Sequence, residues 1–127
     1  MYFNILLVSI GGAIGSVGRY LGGMYVQKTF SAHPLFGTFA VNTLGCLLVG
    51  FLAGYFNYAT MDKAPKALIF VGILGGFTTF SAFAFEVYSV TQEGKIMHAA
   101  LYTVINVIVC ISLVFVGIYL AKLLKNA

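Results

Sequence analysis

The sequence predicts an all-α membrane protein with four transmembrane helices, and three observations carry that prediction. The chain has 127 residues, of which 61% are hydrophobic and only 8% charged, whereas soluble domains carry about 25% charged residues. Four stretches are apolar over about the 20 residues that a spanning helix requires, namely residues 5–25, 37–55, 67–90 and 97–120. The connectors are short and polar, so residues 1–127 are predicted to form a single four-span membrane domain.

The first predicted span is rich in small residues. No basic segment or cleavage site typical of a secretory signal precedes it, so we expect it to be retained as a span. Gly11 and Gly15 lie four residues apart, as do Gly50 and Gly54 in the second span. Small residues at this spacing let helix backbones approach closely. The spacing leaves the partner helices open, and we favour contacts within one chain for at least one of these faces.

The third predicted span is interrupted near its middle. Residues 75–79 read Gly-Gly-Phe-Thr-Thr; paired glycine has low helix propensity, and threonine can bond to its own backbone. Non-helical backbone in hydrocarbon is tolerated only where protein or a water-filled cavity satisfies it. We therefore expect a mid-membrane break, followed by a stripe of Phe77, Phe80 and Phe83 on one helical face. This is where ions are expected to meet the protein.

Polar side chains interrupt the second and fourth spans. Asn42 follows Thr38 by one turn, and Tyr102, Asn106 and Cys110 recur at four-residue spacing. An Asn side chain is costly in hydrocarbon unless its amide is hydrogen-bonded. Asn42 could bond Asn106 or a backbone group and hold the helices together, or the polar residues could line a hydrated track. The sequence leaves both interpretations open.

Few other side chains within the spans carry chemistry. Arg19 is the only cation inside a span; its side chain can extend to the interface and can also form a positive vestibule that attracts anions, since the two roles are compatible. Glu86 lies near the end of the third span, where it could pair with an interfacial lysine or border a pore mouth; we favour the interfacial pair. Cys46 and Cys110 fall in mid-span and are interpreted as small hydrophobic residues, which suggests neither a disulfide nor a metal site.

The distribution of lysines bears on topology. Four spans place both termini and the second connector on one side, with Lys63, Lys66, Lys122 and Lys125, while Lys28, Lys95 and the solvated His33 lie in the connectors of the other side. This small bias favours cytoplasmic termini under the positive-inside rule but leaves insertion in both orientations open. A single bundle cannot bury all the polar faces away from lipid, so an oligomer is expected, and a dimer is the simplest.

The sequence does not predict an enzyme. It contains no carboxylate pair, Ser-His-Asp set, Cys-His cluster or phosphate-binding glycine loop, and it has only three acidic residues. The net charge of +4 comes mainly from lysines at the ends of the spans, so no nucleic-acid partner is expected. A permeation path, by contrast, requires only donors, oriented backbone groups and shape.

Three motifs resemble the Fluc (CrcB) family of small fluoride channels. They are Gly-Gly-Ala-Ile-Gly-Ser-Val-Gly-Arg-Tyr at 11–20, Gly-Thr-Phe-Ala-Val-Asn-Thr-Leu-Gly at 37–45 and Gly-Gly-Phe-Thr-Thr-Phe-Ser-Ala-Phe at 75–83. The resemblance covers essentially the whole chain. It implies a fluoride-selective channel that exports fluoride passively across the inner (cytoplasmic) membrane. It also implies an antiparallel, dual-topology homodimer with two pathways, each lined by both subunits.

The resemblance also implies roles for particular residues. The fluoride pathway would include Phe80, Phe83, Asn42, Thr38, Tyr102, Asn106 and Ser81. The positive edges of the two phenylalanine rings would attract the anion, and the Asn42 amide would donate to it. The backbone carbonyls of Gly75 and Thr78 would bind a central structural sodium ion, and Arg19 would lie at the vestibule. The family often carries serines along the fourth helix, where this chain has Asn106 and Cys110.

Two other functions compete with the channel. A small proton-coupled multidrug exporter is also a four-span, dual-topology dimer, but it requires a membrane-embedded carboxylate. The first span has none, Glu86 is expected near a helix end, and no Trp is present to stack a cationic drug. A non-transporting assembly subunit would account for the glycine-rich faces, but it leaves the phenylalanine stripe and the break without a purpose.

Overall fold

The computed structural model describes residues 1–30 and 34–127, and His33 therefore lies outside the described residues. The described chain is helical almost throughout. Its elements in order are α1 (Tyr2–Phe30), α2 (Pro34–Phe56), α3 (Lys63–Pro65), the π-helix π1 (Lys66–Leu74), α4 (Gly75–Phe77), α5 (Phe80–Gln92) and α6 (Ile96–Asn126).

Four helical segments are long and apolar enough to cross a membrane, as the sequence predicts. They comprise Tyr2–Phe30, Leu35–Phe56, Lys63–Gln92 and Ile96–Asn126. Each segment extends beyond its predicted span at both ends, because the helices continue past the apolar residues into the polar flanks. Many large apolar side chains on their outer faces are exposed in the single chain, including Ile14 and Ile108, as expected of surfaces that face lipid.

The third segment departs most from the prediction. It winds as a π-helix over Lys66–Leu74, and the N–H of Gly75 reaches back to the carbonyl of Phe70. The glycine pair is not where the helix stops, because Gly75 is helical (φ −65°, ψ −35°). The non-helical backbone is confined to Thr78 (φ −86°, ψ 157°) and Thr79 (φ −149°, ψ 124°). The helical path thus ends at Phe77 and resumes at Phe80.

The glycines of α1 allow it to pack closely against π1 in the same chain. A methyl group added at Gly11 would lie 2.5 Å from the carbonyl oxygen of Leu68, and one added at Gly15 would collide with that of Ile73. On the facing side, a methyl group at Gly72 would lie 2.9 Å from Gly11 Cα. The expectation that at least one small-residue face packs within the chain is therefore confirmed.

Helices α2 and α6 also meet through glycine. A methyl group at Gly50 would collide with the carbonyl oxygen of Val114, and one at Gly54 would lie 3.2 Å from that of Ile118. From the first contact to the second, the residue numbers increase along both helices, so α2 and α6 run parallel. Gly50 and Val114 are as far apart in sequence as Gly54 and Ile118, so the two contacts belong to one register. The same register places Asn42 opposite Asn106, two turns before the Gly50 contact.

Candidate functional site

Asn42 holds the non-helical residues in place. Its Nδ2 donates to the carbonyl oxygen of Thr79 over 2.9 Å, and its Oδ1 accepts from the Thr79 N–H over 2.8 Å. Both residues are buried, with Asn42 7% and Thr79 8% exposed. The side-chain amide thus takes the place of the helical partners that an extended residue loses. Asn42 therefore bonds to a backbone group and not to Asn106, the other partner considered for it. These bonds use one of the two N–H groups of the Asn42 amide, and the second remains.

The two hydrogen bonds between Asn42 and Thr79 (the Asn42 clamp) leave two backbone carbonyls without their helical partners. In a continuous helix, the N–H of Thr79 would bond to the carbonyl of Gly75 and that of Ala82 to the carbonyl of Thr78. Instead, the Thr79 N–H is directed to Asn42, and the Ala82 N–H donates to Thr79 Oγ1 over 3.2 Å. The carbonyls released in this way belong to the two residues that the resemblance assigns to sodium.

Thr79 also caps α5. Its hydroxyl accepts from the Ala82 N–H, as an N-cap side chain does. The same hydroxyl lies 3.3 Å from Ser81 Oγ, which places Ser81 beside the cap on the exposed side of α5. The start of α5 is therefore determined locally, because Thr79 caps the N–H of Ala82, three residues later.

A row of three aromatic rings follows the restart. The centroids of Phe80 and Phe83 are 5.5 Å apart, and so are those of Phe83 and Tyr102. Phe83 is 5% exposed, whereas Phe80 is 76% exposed in the single chain. The predicted inclusion of Phe77 in this stripe is wrong. The extended threonines redirect the chain after Phe77, and its ring instead lies beside Gly18 and Gly45.

A cavity of about 290 Å³ adjoins the first two rings. Its lining brings together the Asn side chains of α2 and α6, the two threonines and both cysteines: Asn42, Cys46, Thr78, Thr79, Phe80, Phe83, Asn106, Val107, Cys110 and Ile111. Asn106 is 5% exposed, and its Nδ2 has no hydrogen-bond partner within the described chain. A buried amide donor without a partner is costly, so an acceptor bound beside Asn106 would stabilise this N–H.

A second cavity, of about 340 Å³, also adjoins Thr79. Arg19, Thr38 and Ala82 line it together with Thr79, so Thr79 contributes to both cavities. Of the predicted residues, Arg19 and Thr38 line the second cavity, whereas Phe80, Phe83 and Asn106 line the first. Neither lining includes Ser81 or Tyr102.

Glu86 connects three helices by hydrogen bonds. Its Oε1 accepts from Thr38 Oγ1 of α2, and its Oε2 accepts from the Tyr102 hydroxyl of α6 over 3.0 Å. The same hydroxyl lies 3.2 Å from the Leu35 carbonyl oxygen. The predicted pairing of Glu86 with an interfacial lysine is wrong, because the side chain is half-buried and directed between helices instead of toward the interface.

Comparison with known proteins connects this geometry to a family. The family described as CrcB-like protein, Camphor Resistance (CrcB), matches residues 6–118. The chain belongs to the CrcB family. A protein of Shewanella sp. (strain ANA-3) named fluoride-specific ion channel FluC is 41% identical over 114 residues, or 90% of this chain and 92% of the relative. One of the same name from Caulobacter sp. (strain K31) is 38% identical over 121 residues, 94% of each chain.

Three contributors to the site of this CrcB-family protein were not predicted from the sequence. Thr79 joins the clamp, the cap and both cavities, Glu86 joins the Thr38 and Tyr102 hydroxyls, and Cys46 lines the first cavity. The capping pattern around Thr79 was a usable sequence signal. No local pattern indicates the partners of Glu86 or Cys46, because these lie on helices distant in sequence. With four helices suited to spanning, the protein is a multi-pass membrane protein.

Proposed function

We propose that the chain forms a channel that conducts fluoride passively and selectively across the cytoplasmic membrane. The relatives with 38–41% identity are named fluoride-specific ion channels, which supports the choice of ion. The observation that carries the proposal is the cavity that Phe80 and Phe83 line together with Asn106, whose Nδ2 is unpaired within the described chain. Fluoride leaving the cytoplasm would oppose its accumulation there, since the neutral acid enters from acidic surroundings and releases the anion inside.

The cavity supplies the groups needed to replace the water around a small anion. Aromatic rings have positive edges, and the adjacent rings of Phe80 and Phe83 offer such edges without a fixed positive charge. An amide N–H from Asn106, with the remaining N–H of Asn42, adds directional donors. Conduction requires binding that is strong enough for entry and weak enough for exit, a balance that neutral donors favour.

The exposure of Phe80 supports an oligomer. This ring is 76% exposed in the single chain, although its neighbour Phe83 is buried. In the proposed antiparallel homodimer, the partner covers Phe80, and each of two pathways is lined by both subunits. The near balance of lysines between the two sides of the bundle supports oppositely inserted copies. The non-helical threonines then lie near the middle of the membrane, where protein satisfies their backbone.

A structural sodium ion fits the released carbonyls. The carbonyls of Gly75 and Thr78 have lost their helical N–H partners to Asn42 and Thr79, and hard cations prefer oxygen ligands. Two such carbonyls from each subunit would hold the ion at the dimer axis. When bound, the sodium would contribute a fixed charge that ties the two subunits together.

The hydrogen-bonded position of Glu86 is the one observation that favours the alternative function, a proton-coupled exporter. A half-buried carboxylate between α2, α5 and α6 is the kind of group that a proton-coupled transporter needs. The two functions differ in what drives transport. A passive channel conducts fluoride down its own gradient when the pH is equal on both sides, whereas proton-coupled export of a cation requires a pH gradient.

The deciding experiment is ion efflux from liposomes, with fluoride and chloride followed by ion-selective electrodes. The wild-type chain is expected to release fluoride at equal pH and to retain chloride. Phe80→Ile and Phe83→Ile are each expected to slow fluoride efflux about tenfold or more, since loss of roughly 1.4 kcal/mol of ring-edge stabilisation corresponds to tenfold in rate. Exposed Phe85→Ile is the matched control. Equal chloride and fluoride efflux, or fluoride efflux only under a pH gradient, contradicts the proposal.

A further inference from the structure

The two cysteines of the chain face each other across the α2–α6 interface. Gly50 meets Val114 and Gly54 meets Ile118 in one register. Cys46 lies four residues before Gly50, and Cys110 lies four residues before Val114. One turn back along two parallel helices, the register therefore sets the thiols opposite each other. The two backbones approach closely at Gly50, one turn away, so the helices are also near each other at the level of the cysteines.

The surroundings of the thiols are open to a ligand. Both cysteines are free and half-buried, and both line the 290 Å³ cavity. The Cys110 thiol donates to Asn106 Oδ1 over 3.3 Å. Beside them, the 95%-buried Asn106 presents its unpaired Nδ2. Both cysteines and the Asn106 side chain therefore belong to the wall of one cavity.

We propose that Cys46 and Cys110 of one chain form a binding site for a soft metal ion that accepts two sulfur ligands, such as Hg²⁺, Ag⁺ or Cu⁺. Thiolate ligands select soft ions. Binding breaks two S–H bonds, forms two metal–sulfur bonds and releases two protons, so no oxidant or reductant is needed. A structural zinc site takes four ligands, and no group of three or more His, Cys, Asp or Glu side chains able to hold a metal occurs in the described residues.

The site has a consequence for transport that depends on the proposed function. A metal ion held by both sulfurs occupies the wall of the cavity that Phe80 and Phe83 also line. A bound Hg²⁺ replaces the two thiol protons, so the net charge of the site does not change, but the metal adds bulk where a fluoride ion would pass. Fluoride would therefore be excluded, and conduction would stop. A competing dithiol would remove the metal from the two cysteines and so restore conduction.

The binding test uses Hg²⁺ and the purified full-length protein in detergent. Wild type is expected to bind one Hg²⁺ per chain, with both thiols protected from alkylation by N-ethylmaleimide as measured by intact mass. Cys46→Ser and Cys110→Ser are each expected to weaken Hg²⁺ binding about 100-fold or more, because two tethered ligands act together. The double variant, which lacks cysteine, is the control for other sites. A single variant that matches wild-type affinity, or one Hg²⁺ joining two chains, would overturn the proposal.

The transport test compares each protein with its own uninhibited rate. Hg²⁺ is expected to stop fluoride efflux through the wild type, and dithiothreitol is expected to restore it. The double variant is expected to be unaffected by Hg²⁺. Efflux that continues while both thiols hold Hg²⁺ overturns the predicted block. If no protein releases fluoride at all, the proposed function fails, whereas the binding titration still decides whether the metal site exists.

Discussion

At the scale of single residues, Asn42 has the clearest structural role. Its amide satisfies both the N–H and the carbonyl of Thr79 at a buried position. In Asn42→Ala these two backbone groups lose their partners, at a cost of about 1–3 kcal/mol each. We expect the free energy of unfolding to fall by about 2–6 kcal/mol. We also expect the Thr79 amide to exchange with deuterium much faster than in the wild type.

The matched control for this prediction is the next residue of the same helix. The Thr43 hydroxyl bonds to the carbonyl of Ala40, one turn back in α2, so it connects no other segment. Thr43→Ala is expected to change the unfolding free energy by less than about 1 kcal/mol and to leave exchange at Thr79 slow. Mass spectrometry of peptides spanning residue 79 measures the exchange. Slow exchange in Asn42→Ala would show that the clamp is dispensable.

At the scale of the elements, the α2–α6 contact is the feature to perturb. A methyl group at Gly50 would collide with the backbone carbonyl of Val114, whereas Gly23 has open space where its Cβ would lie. Overpacking costs about 1–3 kcal/mol, so Gly50→Ala is expected to lower the unfolding free energy by that amount.

Gly23→Ala serves as the control, because it adds a methyl group to a helix without a collision. It is expected to be neutral or stabilising by up to about 1 kcal/mol. Unfolding in sodium dodecyl sulfate, followed by tyrosine fluorescence, compares the two variants. Equal stability of Gly50→Ala and the wild type would mean that α2 and α6 can separate without loss.

The helices were predictable from the sequence, whereas several of their contacts were not. Apolar runs of spanning length indicate the four segments because hydrocarbon imposes a length and a composition. The π-helical winding of Lys66–Leu74 was not predicted, since propensities do not distinguish bonds to the fourth residue back from bonds to the fifth. The end of the helix at Phe77, two residues after Gly75, reflects the distant Asn42 clamp. The partners of Glu86 were mispredicted for the same reason, since they lie on α2 and α6, which are distant in sequence.

At the scale of the whole molecule, the balance of lysines is the property to test. Asn4→Lys and Asn126→Lys raise the number of lysines on the side of the termini from four to six, against two on the other side. With this bias, every chain is expected to insert with cytoplasmic termini. Alone, such chains lack oppositely inserted partners, so fluoride efflux should be lost. A C-terminal reporter that is accessible only outside the cytoplasm measures orientation.

The control restores the missing partner. A chain with Gln92→Lys, Lys122→Gln and Lys125→Gln has two lysines on the side of the termini and three on the other, which favours the opposite orientation. Co-expression of the two biased chains is expected to recover fluoride efflux. Full activity of the first chain alone, in one orientation, would be incompatible with an antiparallel dimer.

The two extended threonines divide one long helix into two, and each new end carries a partial charge from its aligned peptide dipoles. The end at Phe77 is partially negative and the start at Phe80 is partially positive, each by about half an elementary charge in long helices. A cation and an anion thus find opposite polarities at two helix ends that only two residues separate. Peptide dipoles do not titrate, so this part of the electrostatic field stays the same in acidic and in neutral surroundings.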